Sequence, residues 1–150
     1  MTPLFRKLNL GTQTSIHVLG APPSFDTELT ALQGITVRRM LRGKTTFALA
    51  FAATQRELDR VSAQLVAAAE GDALLWIAYP KASSKRLRCD FNRDTGWTVL
   101  GAAGWEPVRQ VAIDEDWSAL RFRKVEHIKT MTRDPGGAIS EAGRAKTRHA

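Results

Sequence analysis

The chain has 150 residues, 43% hydrophobic and 25% charged, with a net charge of +7 at neutral pH. That length and balance fit one globular domain with one core. A lone cysteine, Cys89, excludes an internal disulfide and a cysteine cage for zinc. The apolar runs are far too short to cross a bilayer of about 30 Å, and no secretory-type stretch follows Met1, so a cytoplasmic protein without membrane association is expected.

The positive charge is local. Residues 38–44 carry Arg38, Arg39, Arg42 and Lys44 with no acid, and residues 81–93 carry Lys81, Lys85, Arg86, Arg88 and Arg93 against Asp90 alone. Local charge of this kind attracts anions and says nothing about fold. There is no internal repeat and no low-complexity block.

In chain order, Ser15 to Leu19 reads as the first strand, ended by Gly20, Ala21, Pro22 and Pro23, a run no helix interior accepts. Ser24 is placed to cap a short helix with Phe25, Leu29 and Leu32 on its apolar side and Gly34 at its end. Ile35 to Arg39 reads as a short second strand. Phe47 to Ala53 is almost wholly apolar, as expected of a strand covered on both faces. Thr54 and Glu57 form a capping box, in which each side chain satisfies the other's backbone N–H. Leu58, Val61, Leu65 and Ala68 then fall on one helical stripe, read as core, and Gly71 stops the helix.

Ala73 to Tyr79 is the second candidate for a central strand, closed by Pro80, which has no N–H to donate. After the basic loop, Asn92 or Asp94 is placed to cap a helix through Trp97, Val99 and Leu100, despite Gly96 and Gly101. Val108 to Ile113 and Trp117 to Arg123 read as two strands of a hairpin joined through Asp114, Glu115 and Asp116, with Val125 to Met131 extending the second. Pro135, Gly136, Gly137 and the surrounding basic residues predict a flexible tail over 132–150, which leaves one domain over 1–131. Alternation of short apolar runs with helical stretches makes this an α/β protein: a small, Rossmann-like, three-layer domain with a mostly parallel sheet of about six strands ending in an antiparallel hairpin.

Two blocks are distinctive, Leu75 to Lys81 (LWIAYPK) and Trp105 to Arg123 (WEPVRQVAIDEDWSALRFR), with the link Arg88 to Asp94 between them. They resemble a family of small bacterial proteins of unknown function over most of 1–131, which implies a domain type and no activity. The strand and helix order is also similar to the Rossmann-like fold of S-adenosylmethionine-dependent methyltransferases, whose last two strands form an antiparallel pair. The chain is short of one strand–helix unit after the second strand.

Ligands of such sheets bind outside the carboxyl ends of the strands. The turn Gly20 to Ser24 lies there, yet it has one glycine and two prolines where a cofactor loop needs close backbone approach and free N–H groups. Arg38 and Arg39 stand where an acid would grip a ribose. No cofactor and no metal are expected. Lys81, Ser83, Ser84, Lys85, Arg86 and Arg88 bring together the donors that hold phosphate, and Arg38 and Arg39 are expected to reach the same edge and add their field. The plainer alternative is two solvated basic loops. Cys89, among arginines, reads either as an activated thiol or as a partly buried one. Asp114, Glu115 and Asp116 read as a solvated turn partly neutralising the basic loop, and His17, His127 and His149 are too scattered for a metal cluster.

Three functions remain open from the sequence. The first is a non-catalytic binding module for a phosphate-bearing small molecule or nucleic acid. The second is a degenerate methyltransferase-like enzyme, and the third is a protein that self-associates through an edge strand.

Overall fold

The two apolar runs form the middle of the sheet because both of their faces are covered. A computed structural model describes residues 2–128. The predicted tail over 132–150 and the expected domain end at 131 lie outside the described residues. Strand β3 (Thr45–Phe51) pairs in parallel with β4 (Ala69–Pro80), with Ala48 opposite Leu75 and Ala50 opposite Ile77. Flanking them are β1 (Ser15–Leu19), β2 (Thr36–Arg38), β5 (Trp105–Ala112) and β6 (Trp117–Lys124), in the order β2-β1-β3-β4-β6-β5. The first four strands run parallel, and β6 lies antiparallel between β4 and β5. This is a Rossmann-like α/β sheet that ends in an antiparallel hairpin.

Successive side chains of a strand point to opposite faces, so β3 and β4 feed two cores. Phe47, Leu49 and Trp76 face a layer built from Phe5, Leu8, Leu10, Phe25 and Leu29. Ala48, Ala50, Leu75 and Ile77 face Leu58, Val61 and Leu65 of helix α3 (Gln55–Ala68), with Trp97 and Leu100 beside them. The capping box of α3 forms as its sequence predicts: Thr54 Oγ1 accepts from Glu57 N, and Glu57 Oε1 accepts from Thr54 N at 3.0 Å. Such a cap contributes about 1 kcal/mol.

Several boundaries differ from the sequence reading, each for a local reason. An N-terminal helix α1 (Pro3–Lys7) was not foreseen; Thr2 caps it and Pro3 opens it, the arrangement in which proline costs no hydrogen bond. It is only 5 residues long and is held by burial of Leu4 and Phe5. Ser24 is not a helix cap: the chain makes a 3₁₀ turn over Pro23–Phe25, and helix α2 (Asp26–Thr30) follows with Phe25 at its cap position. β4 begins at Ala69, so Gly71 lies within the strand, and β5 begins at Trp105. Helix α4 (Thr98–Ala102) starts late because Gly96 belongs to the turn before it. Its φ is +100°, and a Cβ there would lie 2.8 Å from the Phe91 Cβ. Asn92 caps a turn, accepting from the N–H groups of Asp94 and Thr95. Val125–His127 forms a 3₁₀ turn instead of extending β6.

One buried polar contact carries a consequence for stability. Thr45 Oγ1 donates to Phe47 O at 3.0 Å, so it accepts from His17 Nδ1–H at 2.8 Å. His17 is buried, and its Nε2 has no partner among the described residues. Protonating Nε2 would place a second cation near Arg38 in a desolvated site; burial first, and Arg38 second, push this imidazole below its ordinary value of 6.5. The unfolded chain therefore binds a proton that the folded one refuses, and stability falls as pH drops below about 6.5. Urea unfolding at pH 7.5 and 5.5 should show this loss in the wild type and a smaller one in His17→Gln. Equal losses in both proteins would contradict it.

Candidate functional site

Where β4 leaves the sheet at Pro80, its backbone turns under control of the β5–β6 hairpin. Lys81 N donates to Asp116 O at 2.8 Å. The Asp116 side chain then accepts from Ser84 Oγ at 2.8 Å and pairs with the Arg86 guanidinium. Ser84 Oγ in turn accepts from the backbone N–H groups of Arg86 and Leu87. Farther along, Asp90 Oδ1 accepts from Gln55 N at the start of α3, and Asp90 N donates to Ala53 O at 3.3 Å. Gln55 Nε2 donates to Gly96 O at 2.7 Å, which ties the end of the loop to the same helix start.

The 81–95 loop is thus pinned at both ends, and it encloses a cleft of about 1430 Å³. Lys81, Lys85, Arg88 and Arg93 line it from the loop, while Gln110 of β5 and Ser118 of β6 line it from the hairpin. Lys85 and Arg88 are exposed and make no ion pair among the described residues. Arg86 holds the Asp116 carboxyl below the ordinary carboxylate range, with the Ser84 hydrogen bond adding to the effect. Asp116 correspondingly raises Arg86, so this ion pair persists across neutral pH.

Six of the eight residues expected from the sequence meet at this cleft: Lys81, Ser83, Ser84, Lys85, Arg86 and Arg88. Two of them, Ser84 and Arg86, hold the loop's own shape. Arg38 and Arg39 do not line the cleft, which corrects the expectation of a common rim. The sheet order places β2 three strands away from β4, roughly 14 Å at the usual spacing. Arg38 Nε reaches Ser15 Oγ at the start of β1, Arg39 pairs with Asp26 at 3.1 Å, and Lys44 Nζ donates to Ala67 O, close to where β3 begins. Arg38 closes the edge strand β2 and Arg39 sits beside the start of α2, while the chain then leads to Lys44 just before β3, so none of the three lines the cleft.

The other carboxyl-edge segment is closed by packing. Gly20 has φ +69°, and a Cβ there would lie 3.2 Å from Phe51 O, so this glycine serves the close approach of two backbones. Beyond it, Phe25 packs on Phe51 and Phe51 on Trp117, each at a centroid distance of 5.1 Å. Hydrocarbon therefore occupies the ends of β1 and β3. Cys89 is the partly buried thiol of the two readings: burial pushes its pKa up, and the Asp90 charge adds to the effect. In the acidic turn, Asp114 Oδ1 accepts from Asp116 N and Trp117 N, and no group of three or more His, Cys, Asp or Glu among the described residues is placed to hold a metal. No helix among them is long and apolar enough to cross a membrane.

No family model matches the chain, and no curated protein sequence matches it significantly. Its fold is nevertheless shared with solved structures. The N-methyltransferase NodS from Bradyrhizobium japonicum WM9 is 13% identical with a TM-score of 0.52, covering 79% of this chain and 91% of its own. The pyocyanin biosynthetic protein PhzM is 11% identical at a TM-score of 0.54, with 79% of this chain matching 52% of that longer one. The magnesium protoporphyrin IX methyltransferase from Synechocystis PCC 6803, solved with bound SAH, is 12% identical at 0.50, covering 81% and 78%. The class defined here is the methyltransferase-like Rossmann fold, and at such identities the likeness establishes fold alone.

The pinned loop gives a direct expectation. Asp116→Asn removes the charge that holds Arg86 and weakens the bond from Ser84. Backbone amides of residues 84–87 should then exchange with deuterium faster, while those of β3 and α3 keep wild-type rates. Unchanged exchange at 84–87 would show that the loop is held by other means.

Proposed function

We propose that this domain is a binding module for an anionic, phosphate-bearing small molecule, held in the cleft between the 81–95 loop and the β5–β6 hairpin. The observation that carries the reading is a fixed loop presenting Lys81, Lys85 and Arg88 to one concavity, with Asp116 engaged by Ser84 and Arg86. A pinned backbone suits an anion site, since ordering the loop is then not charged against binding. The concave shape favours a small molecule over a duplex. Single-stranded nucleic acid is disfavoured as well, because the aromatic side chains at the cleft, Tyr79 and Phe91, are buried and offer no stacking platform.

A second reading is an S-adenosylmethionine-dependent methyltransferase. It is supported by the fold shared with two methyltransferases, one of them solved with SAH. Against it stand the turn at Gly20 with Pro22 and Pro23, and the packing of Phe25 on Phe51 over the ends of β1 and β3.

Calorimetric titration at low salt separates the two. Inorganic phosphate should bind the wild type, more weakly as salt is raised. A charge-assisted hydrogen bond contributes about 1.5–3 kcal/mol, so Lys85→Ala with Arg88→Ala should lower that affinity by at least about tenfold. S-adenosylhomocysteine should leave the melting temperature unchanged. A rise in melting temperature with S-adenosylhomocysteine, and none with phosphate, would replace the first reading by the second.

A further inference from the structure

The polar groups at the inner wall of this cleft carry information that the basic loop does not. Gln110 Nε2 lies 3.1 Å from Tyr79 Oη and 3.0 Å from Ser118 Oγ, and all three residues line the cleft. Tyr79 and Ser118 are buried, whereas Gln110 is exposed. They come from three adjacent strands, β4, β5 and β6, so the sheet itself fixes their spacing. Sequence reading passed over them, since a lone Gln, Tyr and Ser in separate strands share no motif.

Counting protons shows what is left over. The amide nitrogen has two N–H groups, and both are given to the hydroxyl oxygens. Each hydroxyl keeps one proton, and at most one of the two can be taken up by the other hydroxyl. At least one hydroxyl proton and Gln110 Oε1 are then left without a partner among the described residues. Turning the amide half a turn leaves its two N–H groups free instead. A ligand hydroxyl is a neutral group that satisfies either arrangement with a single atom, because its oxygen both donates and accepts. An apolar group would leave these atoms desolvated and unpaired, at a cost of about 1–3 kcal/mol each.

Size permits it: an open cleft of about 1430 Å³ leaves room beyond a bare phosphate. We infer that the cleft takes a polyhydroxylated organic phosphate of the sugar-phosphate class, its phosphate on Lys81, Lys85 and Arg88 and a hydroxyl on the Tyr79–Gln110–Ser118 triad. This rests on the anion-binding reading above and assigns the triad as the specificity-determining part of that site.

The test compares inorganic phosphate with ribose 5-phosphate by calorimetry on the full chain. Ribose 5-phosphate should bind at least about tenfold more tightly than phosphate, a difference equal to about 1.4 kcal/mol. Gln110→Leu combined with Tyr79→Phe should bring the affinities for ribose 5-phosphate and phosphate together, with the circular dichroism spectrum as in the wild type. Gln110→Leu alone, at an exposed position, should reduce the advantage and guards against a folding defect at Tyr79. Phosphate binding with no gain from the sugar, or a gain that survives the double variant, would overturn the inference and leave the anion site standing. Binding of neither probe to the wild type would overturn both.

Discussion

The cleft depends on one side chain, Asp116. Its backbone carbonyl receives Lys81 N, and its carboxylate receives Ser84 Oγ and the Arg86 guanidinium. Without that anion, a run of basic residues leaving the end of β4 would repel itself and spread into water. With it, the loop folds back over the hairpin, and the cations not used internally are presented together. The pair is half exposed in character, since Asp116 is buried while the Arg86 side chain is 77% exposed. An ion pair of that kind adds little to global stability, and its effect here is to choose a loop conformation.

That choice separates two places that share the carboxyl edge of the sheet. Strand order reverses between β1 and β3, the position at which open α/β sheets usually bind their ligands. In this chain Phe25, Phe51 and Trp117 pack across that region, and the concavity instead lies on the side of β4, β6 and β5. Fold likeness to methyltransferases and a differently placed pocket are compatible, because a shared scaffold carries its sites on its loops.

Much of the scaffold was legible in the sequence. The continuous apolar runs around Phe47 and Leu75 read as central strands because both of their faces are buried, and the Thr54–Glu57 box located the start of α3 because capping is local chemistry. What depended on distant partners was harder to read. Asn92 satisfies a turn and not a helix, and Gly96 is demanded by contact with Phe91 and Gln55, residues that no local pattern connects. The six loop residues at the cleft were read correctly as neighbours because they are contiguous in the chain. Arg38 and Arg39 stand at the carboxyl end of β2 but away from the cleft, because β2 is the edge strand three places from β4 and strand order is not written in any local pattern. The triad of Tyr79, Gln110 and Ser118 exists only once β6 inserts between β4 and β5.

The proposed ligand site lies at the hairpin side of the sheet edge and not at its point of reversal. Backbone amide chemical shifts during a titration with inorganic phosphate test it residue by residue. Perturbations should be confined to residues 81–95 and the neighbouring hairpin around Gln110 and Ser118, with Gly20 and Ser24 unmoved. Perturbations centred on Gly20 to Ser24, or spread evenly over every exposed lysine and arginine, would contradict it.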